Sequence, residues 1–200
     1  MMSSVTPEVS QARRAEYPVD PAVLNRWSTR AFLKKEVPET TLLSVLEAAH
    51  WAPSAFNAQP WRFIVARTPE EREKFFSFIG EFNLGWCSQA PVLILIVSKT
   101  VTDKGDFPSY AFDAGAAWGI LSLEAVKQGL ATHAMTGFDF AKARETLGIP
   151  QEYAIQALVA LGYPGPKESL PQGLQEREVP SPRVPVKEVL FEGTFGHPFK

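Results

Sequence analysis

The sequence predicts one α+β or α/β domain in which a central sheet is covered by helices. Three observations lead to this prediction. Residues 92–97 (VLILIV) are apolar at every position, 110–128 carry the longest helical pattern, and helical segments separate the other strand-like segments. A strand that is apolar on both faces needs cover on both sides. No shift in composition along the 200 residues marks a boundary, so a single domain is expected.

The individual elements follow from local patterns. Apolar residues at helical spacing predict a helix over 39–51, which Pro53 ends, and Asp139 is suited to cap a later helix that Gly148 closes. The expected strands are 61–66, 92–97, 131–136 and 153–161, and the expected helices are 39–51, 70–79, 110–128 and 140–147, after a short turn at 22–26. Residues 1–20 are expected to form a loose arm, and the Pro- and Gly-rich stretch after Gly162 a long surface connection.

Composition and charge exclude several classes of protein. The chain has 20 Lys and Arg against 22 Asp and Glu, a net charge of −2, which argues against nucleic-acid binding through bulk positive charge. Its longest apolar run, about 90–97, is too short to cross a bilayer, and 1–17 lacks the apolar segment of a signal peptide. One cysteine, Cys87, allows no internal disulfide. We therefore expect a cytoplasmic protein with neither a membrane nor a nucleic acid as partner.

Familiar catalytic motifs are missing from the sequence. It contains no GxSxG, Walker A or HExxH motif, and no GxGxxG follows a predicted strand. The three histidines have no partners at metal-ligand spacing, so no metal site is expected. Cys87 lacks basic neighbours in sequence, which favours a buried thiol over a nucleophile. If the protein is an enzyme, a bound cofactor is expected to carry its chemistry.

The first segment that suggests a ligand is 25–32 (NRWSTRAF). In an extended backbone Arg26, Ser28 and Arg30 alternate, so their side chains leave the same face. Two guanidinium groups and a hydroxyl suit a phosphate monoester, which accepts charge-assisted hydrogen bonds. The alternative is an edge strand with solvated arginines.

The second segment is 52–61 (APSAFNAQPW), which leads from a helix into a strand with a proline near each end. Asn57 and Gln59 each offer a donor pair and an acceptor. Such an edge suits a flat heterocycle with alternating carbonyl and N–H groups, such as a flavin. The alternative is a rigid turn whose amides bond only to the backbone.

The two segments together, RWSTRAF and APSAFNAQPWRFIV, resemble the nitroreductase family of flavin enzymes. Residues 113–117, 136–139 and Arg183 resemble later parts of its pattern. The resemblance implies an α+β three-layer sandwich, with a mixed, mostly antiparallel sheet covered by helices, in a homodimer. The expected division of the chain is an N-terminal arm (1–20), an FMN-binding domain (21–190) and a C-terminal arm (191–200). The three phenylalanines of this last arm make it too apolar for a free tail, so we expect it to pack on the partner subunit.

The resemblance also implies which residues bind FMN, partly across the two subunits. Around the phosphate these are Arg26, Trp27, Ser28, Arg30 and Arg183; along the ring or ribityl chain they are Pro53, Ser54, Ala55, Asn57, Gln59, Thr136 and Gly137. A backbone N–H near Gly137 is expected to face flavin N5. The chain departs from the family at Thr136, where relatives often carry glutamate, and at Ser181, where many carry lysine. These departures change the polarity near the ring and remove one charge from the phosphate site.

The function that the resemblance implies is an FMN-dependent oxidoreductase with a homodimeric, shared site. NADH or NADPH would reduce the flavin, and a nitroaromatic, quinone or enone would then be reduced in the same site, with ping-pong kinetics. No side chain is required as acid or base, so no catalytic residue is assigned. The alternatives are a non-catalytic flavin-binding or storage protein, a specialised relative that acts on a small aldehyde or a halogenated substrate, and an interaction module without a ligand.

Overall fold

A four-stranded antiparallel sheet with helices on both faces is the framework of the protein. The computed structural model describes residues 4–199, so residues 1–3 and 200, the outer ends of the two predicted arms, lie outside it. The order of strands in the sheet is β1-β2-β6-β5, and a separate two-stranded hairpin is formed by β3 and β4. The strands are β1 (Trp61–Ala66), β2 (Val92–Lys99), β3 (Val101–Thr102), β4 (Gly105–Asp106), β5 (Ala131–Met135) and β6 (Tyr153–Gly162).

The α-helices before, between and after these strands confirm most of the pattern expected from the sequence. They are α1 (Pro7–Ala12), α2 (Pro21–Asn25), α3 (Glu39–His50), α4 (Pro69–Phe76), α5 (Glu81–Cys87), α6 (Tyr110–Lys127), α7 (Phe140–Leu147) and α8 (Gln172–Gln175). Asp139 caps α7 by accepting a hydrogen bond from the Lys142 backbone N–H, and Gly148 ends this helix in the left-handed region.

The side chains of β2 explain why the domain has three layers, with the sheet between two layers of helices. Leu93, Leu95 and Val97 belong to a buried cluster that includes residues of α4, α5 and α7. Val92, Ile94 and Ile96 belong to a second cluster with α3 and α6 on the other face. Because successive side chains of a strand point to opposite faces, a strand that is apolar throughout is buried on both. The predicted layered α+β fold is confirmed.

Some local predictions were incomplete. The predicted loose arm contains α1, which is capped by Thr6 and buries Val9. The predicted helix over 70–79 ends at Phe76, and α5 follows after a short turn. The stretch after Gly162 is not only a surface connection, since it contains α8 with its buried Leu174. These short elements depend on tertiary burial more than on a helical repeat.

The strand order determines where the two candidate segments lie. β1 and β5 are the opposite edges of the sheet, three interstrand spacings apart, or about 14 Å. All three pairs in the sheet are antiparallel, so β1 and β5 run in opposite directions. The residues before β1 and those after β5 are therefore at the same end of the sheet. Among residues 4–199, no helix is both long and apolar enough to cross a membrane.

Candidate functional site

A cavity of about 280 Å³ beside the β5 edge brings together both ends of the chain. We call it the arginine pocket. It is lined by Arg13, Arg26, Trp27, Ser28, Arg30, His133, Arg177, Val179, Ser181 and Arg183. All four polar residues predicted to hold a phosphate are in this set, and so is Trp27. The structure also adds Arg13, Arg177 and His133, which no spacing in the sequence connects with the 26–30 segment.

The arginine pocket is strongly electropositive. Five arginines and no carboxylate are among its lining residues. Partial burial, followed by the Arg183 charge, lowers the pKa of Arg26, and the same two causes together with Arg26 lower the pKa of Arg13. The positive charges therefore repel one another across the pocket. An anion in the pocket would relieve this repulsion.

Hydrogen bonds from Arg13 hold the pocket's walls together. Its Nε donates to the Ser181 carbonyl oxygen at 2.8 Å, and its Nη1 donates to the Leu24 and Arg26 carbonyl oxygens at 2.7 and 2.8 Å. The N-terminal arm, the segment after α2 and the C-terminal segment are thus joined at one guanidinium. Arg30 contributes a buried Nε that has no hydrogen-bond partner among the described residues.

His133 in β5 also lines the pocket. Burial, followed by the Arg30 charge, lowers its pKa. Its Nδ1 is 3.0 Å from the Thr29 carbonyl oxygen, which can only accept, so Nδ1 carries the proton in the neutral ring. The ring also packs on Trp86, with centroids 4.4 Å apart. These contacts hold the 26–31 segment beside β5.

The loop from Pro53 to Gln59, which we call the β1 loop, is exposed and strained. Phe56, Asn57 and Gln59 have φ values of +53°, +55° and +46°, in the region that favours glycine. The Ser54 Oγ accepts a hydrogen bond from the Gln59 backbone N–H at 3.0 Å. The buried Asp113 of α6 accepts from the Ala55 N–H at 3.1 Å. The loop is therefore anchored at both ends while its tip projects outward.

The two carboxamides of the β1 loop differ in their environment. The Gln59 Nε2 donates to the Asn57 carbonyl oxygen at 2.8 Å, so part of its capacity is used within the loop, as the turn interpretation expects. The Asn57 side chain is exposed and has no hydrogen-bond partner among residues 4–199. Phe56 is 97% exposed. The Phe56 ring is 5.8 Å from Lys104 Nζ, measured to the ring centroid, so the tip presents a polar side chain without a partner among the described residues and an aromatic one with a single distant cation beside it.

Thr136 and Gly137 follow β5 and are exposed. The Gly137 carbonyl oxygen accepts hydrogen bonds from the Gly80 N–H at 3.2 Å and from Asn83 Nδ2 at 3.1 Å. The Gly137 N–H has no acceptor among the described residues. Since His133 lines the pocket, Thr136 is about 10 Å further along the strand. The Gly137 N–H, which was predicted to face a flavin, is therefore unpaired among the described residues and lies on the same sheet edge as the arginines.

The structure brings together one half of the predicted site and separates the other. The arginine pocket and residues 136–137 share the β5 edge, whereas the β1 loop precedes the opposite edge. The pocket contains no residue of the β1 loop. Within one chain, the loop and the pocket are therefore separate from each other.

Comparison with known proteins decides the family. The model of the nitroreductase family matches residues 23–84 and 78–163, which include the 26–30 segment, the β1 loop and 136–137. The chain belongs to the nitroreductase family. The predicted resemblance is confirmed.

Relatives of this nitroreductase-family chain agree with that assignment. A Thermus thermophilus protein named NADH dehydrogenase is 31% identical over 203 residues, which cover 85% of this chain and 93% of the relative. The iodotyrosine deiodinase of Thermotoga neapolitana is 28% identical over 191 residues, which cover 82% of this chain and 91% of the relative. A crystal structure described as an oxidoreductase containing FMN is 43% identical, with a TM-score of 0.88, and the match covers 92% of this chain and 96% of that one.

Neither Cys87 nor a metal-binding group belongs to the lining of the arginine pocket. Cys87 is fully buried, and burial raises the pKa of its thiol to about 12, so the reactive thiolate is disfavoured. The described part of the chain holds no group of three or more His, Cys, Asp or Glu side chains arranged to bind a metal ion.

Proposed function

We propose that this nitroreductase-family protein is an FMN-dependent oxidoreductase that is reduced by NADH or NADPH. The observation that carries the proposal is the arginine pocket, in which five guanidinium groups converge without a carboxylate in the lining. The relative of solved structure that contains FMN is 43% identical over most of both chains, which supports the same cofactor here.

The residues present fit the phosphate of FMN. A phosphate monoester carries up to two negative charges and several acceptor oxygens. Arg26, Arg30 and Arg183 supply charge, Ser28 supplies a hydroxyl, and the buried Arg30 Nε is a donor that lacks an acceptor. A buried donor without a partner is costly, and a phosphate oxygen would satisfy it. Arg13 and Arg177 would add to the field around the phosphate.

Thr136 and Gly137 would lie beside the flavin ring, and the Gly137 N–H, which has no acceptor among the described residues, would donate to N5. When bound, FMN would supply the hydride-transfer chemistry between NADH or NADPH and a flat, electron-poor nitroaromatic, quinone or enone. The protein's own residues bind and orient the cofactor. Thr136 offers a hydroxyl rather than a carboxylate beside the ring, which adds no negative charge there.

We further propose that the β1 loop of a second subunit completes each site in a homodimer. The loop's exposed Asn57 and Phe56, and its position across the sheet from the pocket, support this arrangement. The C-terminal segment is also exposed, with Phe195 at 93%, and we expect it to pack on the partner subunit. Pro53, Ser54, Ala55, Asn57 and Gln59 would then line the partner's flavin.

Two measurements on the purified protein test this function. Its absorbance spectrum should show bound flavin, and the flavin released on denaturation should be FMN. In anaerobic stopped-flow experiments, NADH or NADPH should bleach the flavin, and a quinone or nitroaromatic should restore its colour. A flavin that neither nicotinamide reduces would favour the storage protein, whereas the absence of flavin and of flavin binding would contradict the proposal. Turnover of an iodinated phenol or a small aldehyde in preference to quinones would identify a specialised relative.

A further inference from the structure

Glu178, a buried carboxylate after α8, touches the backbone of the phosphate-binding segment. We propose that Glu178 is a positioning residue that holds Arg30 in place at the arginine pocket and thereby sets the affinity of the pocket for a phosphate group. This inference rests on the proposed FMN site. Glu178 is 3% exposed and does not line the pocket itself. It acts through Arg30 and not by contact with the cofactor.

One oxygen of Glu178 organises three consecutive residues. Oε1 accepts hydrogen bonds from the Thr29 hydroxyl, from the Arg30 backbone N–H at 2.6 Å and from the Ala31 backbone N–H at 3.0 Å. The other oxygen, Oε2, is 3.9 Å from Arg30 Nη1, close enough for an ion pair, but it has no hydrogen-bond partner among the described residues. The carboxylate therefore fixes the main chain at Arg30 by hydrogen bonds, and its charge attracts the guanidinium group.

The backbone of this segment explains why a carboxylate is needed. Residues 26–31 belong to neither a helix nor a strand, so their N–H groups have no regular ladder of acceptors. Glu178 accepts from two of these N–H groups, at Arg30 and Ala31, and the Ala31 N–H also donates to the Thr29 Oγ1 at 3.2 Å. A buried carboxylate is itself costly, and the three donors on Oε1 offset that cost.

Glu178 also connects the two ends of the chain that form the pocket. Arg177 precedes it in sequence, and Ser181 and Arg183 follow within five residues; all three line the pocket. The contacts of Glu178 with 29–31 thus fix the C-terminal wall against the N-terminal wall. Displacement of this carboxylate would alter the spacing between Arg30 and Arg183.

Charge and position predict opposite effects when Glu178 is neutralised. As a charge alone, Glu178 weakens the positive potential of the pocket, so Glu178→Gln would tighten phosphate binding. As a positioning residue it keeps Arg30 directed into the pocket, so the same change would weaken phosphate binding. Glu176→Gln is the matched control, because Glu176 is exposed, lies two residues away and undergoes the same change of charge.

The experiment measures the affinity of each apoprotein for FMN and for riboflavin, which lacks the phosphate, by quenching of flavin fluorescence. We expect Glu178→Gln to weaken FMN binding about tenfold and riboflavin binding less than about twofold, since one charge-assisted contact is affected. Glu176→Gln should match the wild type with both flavins. The Tm of each apoprotein is also measured with and without inorganic phosphate. The rise in Tm that phosphate causes should be smaller for Glu178→Gln than for the wild type and for Glu176→Gln.

Equal or tighter FMN binding by Glu178→Gln would overturn the inference, and so would an equal loss of FMN and riboflavin, which indicates a general structural role. If Glu178→Gln does not fold, Thr29→Val removes one of the three donors to the same oxygen, and a loss of about two- to fivefold in FMN affinity alone is expected. A wild type that responds to phosphate but to neither flavin would contradict the proposed function, while the phosphate response of Glu178→Gln would still decide the role of Glu178.

Discussion

The arginine pocket and the β1 loop show two ways of preparing a binding site. The pocket is held in place from several directions, by Arg13, by His133 and by the buried Glu178. The β1 loop is anchored only at its ends, and its tip has three residues with positive φ and an almost fully exposed Phe56. The pocket is thus preorganised within one chain, whereas the loop's strain and exposure are consistent with a surface completed by another subunit.

The largest expected effect comes from the double substitution Arg26→Ala/Arg30→Ala in the pocket. Each charge-assisted hydrogen bond is worth about 1.5–3 kcal/mol, so FMN affinity should fall about 100-fold or more. Fluorescence titration with FMN and riboflavin measures the loss. Lys74→Ala/Lys127→Ala removes two exposed positive charges elsewhere and should leave both affinities within about twofold. Unchanged FMN affinity in the arginine variant would show that the pocket does not bind the cofactor.

A second prediction concerns Gly137, on the same sheet edge as the pocket. A Cβ there would be 2.4 Å from Asn83 Nδ2, so Asn83 must move and give up its hydrogen bond to the Gly137 carbonyl oxygen. Gly137→Ala should lower the free energy of unfolding by about 1–2 kcal/mol, as measured by urea denaturation. Gly85→Ala in α5 meets nothing within 4 Å and should raise it by about 0.5–1 kcal/mol. Equal stabilities of the two variants would contradict this account of the 136–137 turn.

The third prediction concerns pH, through His133 in the pocket wall. Its pKa is lower in the folded protein than the usual value of about 6.5, so the unfolded chain binds the proton more readily. The stability that depends on the neutral ring is therefore present above about pH 6.5 and is lost as the pH falls below it. His133→Asn should reduce the slope of the free energy of unfolding against pH, measured between pH 7 and 5, by up to about 1.4 kcal/mol per pH unit.

Urea denaturation across that pH range measures the slope. His50→Asn provides the control, because His50 is exposed on α3 and does not line the arginine pocket. It should preserve the wild-type slope. If His133→Asn also preserves it, the neutral histidine makes no contribution to the pocket's stability.

The smallest expected effect on stability is at the tip of the β1 loop. Phe56→Gly removes left-handed strain of about 1–2 kcal/mol, and the greater freedom of glycine in the unfolded chain offsets about 0.5–1 kcal/mol of that gain. The subunit should be slightly more stable, while the dimer should dissociate more readily in sedimentation experiments. Phe112→Ala, at an exposed aromatic in the helix α6, relieves no such strain and should change subunit stability by less than about 0.5 kcal/mol. A large loss of subunit stability in Phe56→Gly would mean that Phe56 packs within its own chain.

The sequence was most informative where a repeating pattern coincides with burial. The alternating faces of β2 and the capped helix α7 could be predicted because strand and helix periods directly determine which side chains are buried. The short helices α1 and α5 could not, since fewer than two full turns leave little periodic signal. Their formation depends on contacts with distant parts of the chain.

The candidate site shows the same contrast. The convergence of Arg26, Ser28 and Arg30 could be predicted from local alternation, and the family resemblance added Arg183. Arg13 and Glu178 could not be predicted, because their partners are distant in sequence: Arg13 bonds to Ser181, and Glu178 bonds to Arg30. The net charge of −2 gives no indication of the pocket either, because it sums the charges of the chain and says nothing about where the arginines lie.

In the proposed homodimer, each FMN site combines the arginine pocket of one subunit with the β1 loop of another. Subunit mixing tests this arrangement. Arg26→Ala/Arg30→Ala is prepared with one affinity tag and Asn57→Ala/Gln59→Ala with another, and the heterodimer carrying both tags is isolated. If the site is shared, one of its two sites has an intact pocket and an intact loop, so the heterodimer should recover about half of the wild-type FMN content and NAD(P)H–quinone activity. A heterodimer as poor in FMN and activity as both parent homodimers would show that each chain forms its site alone and would contradict the account.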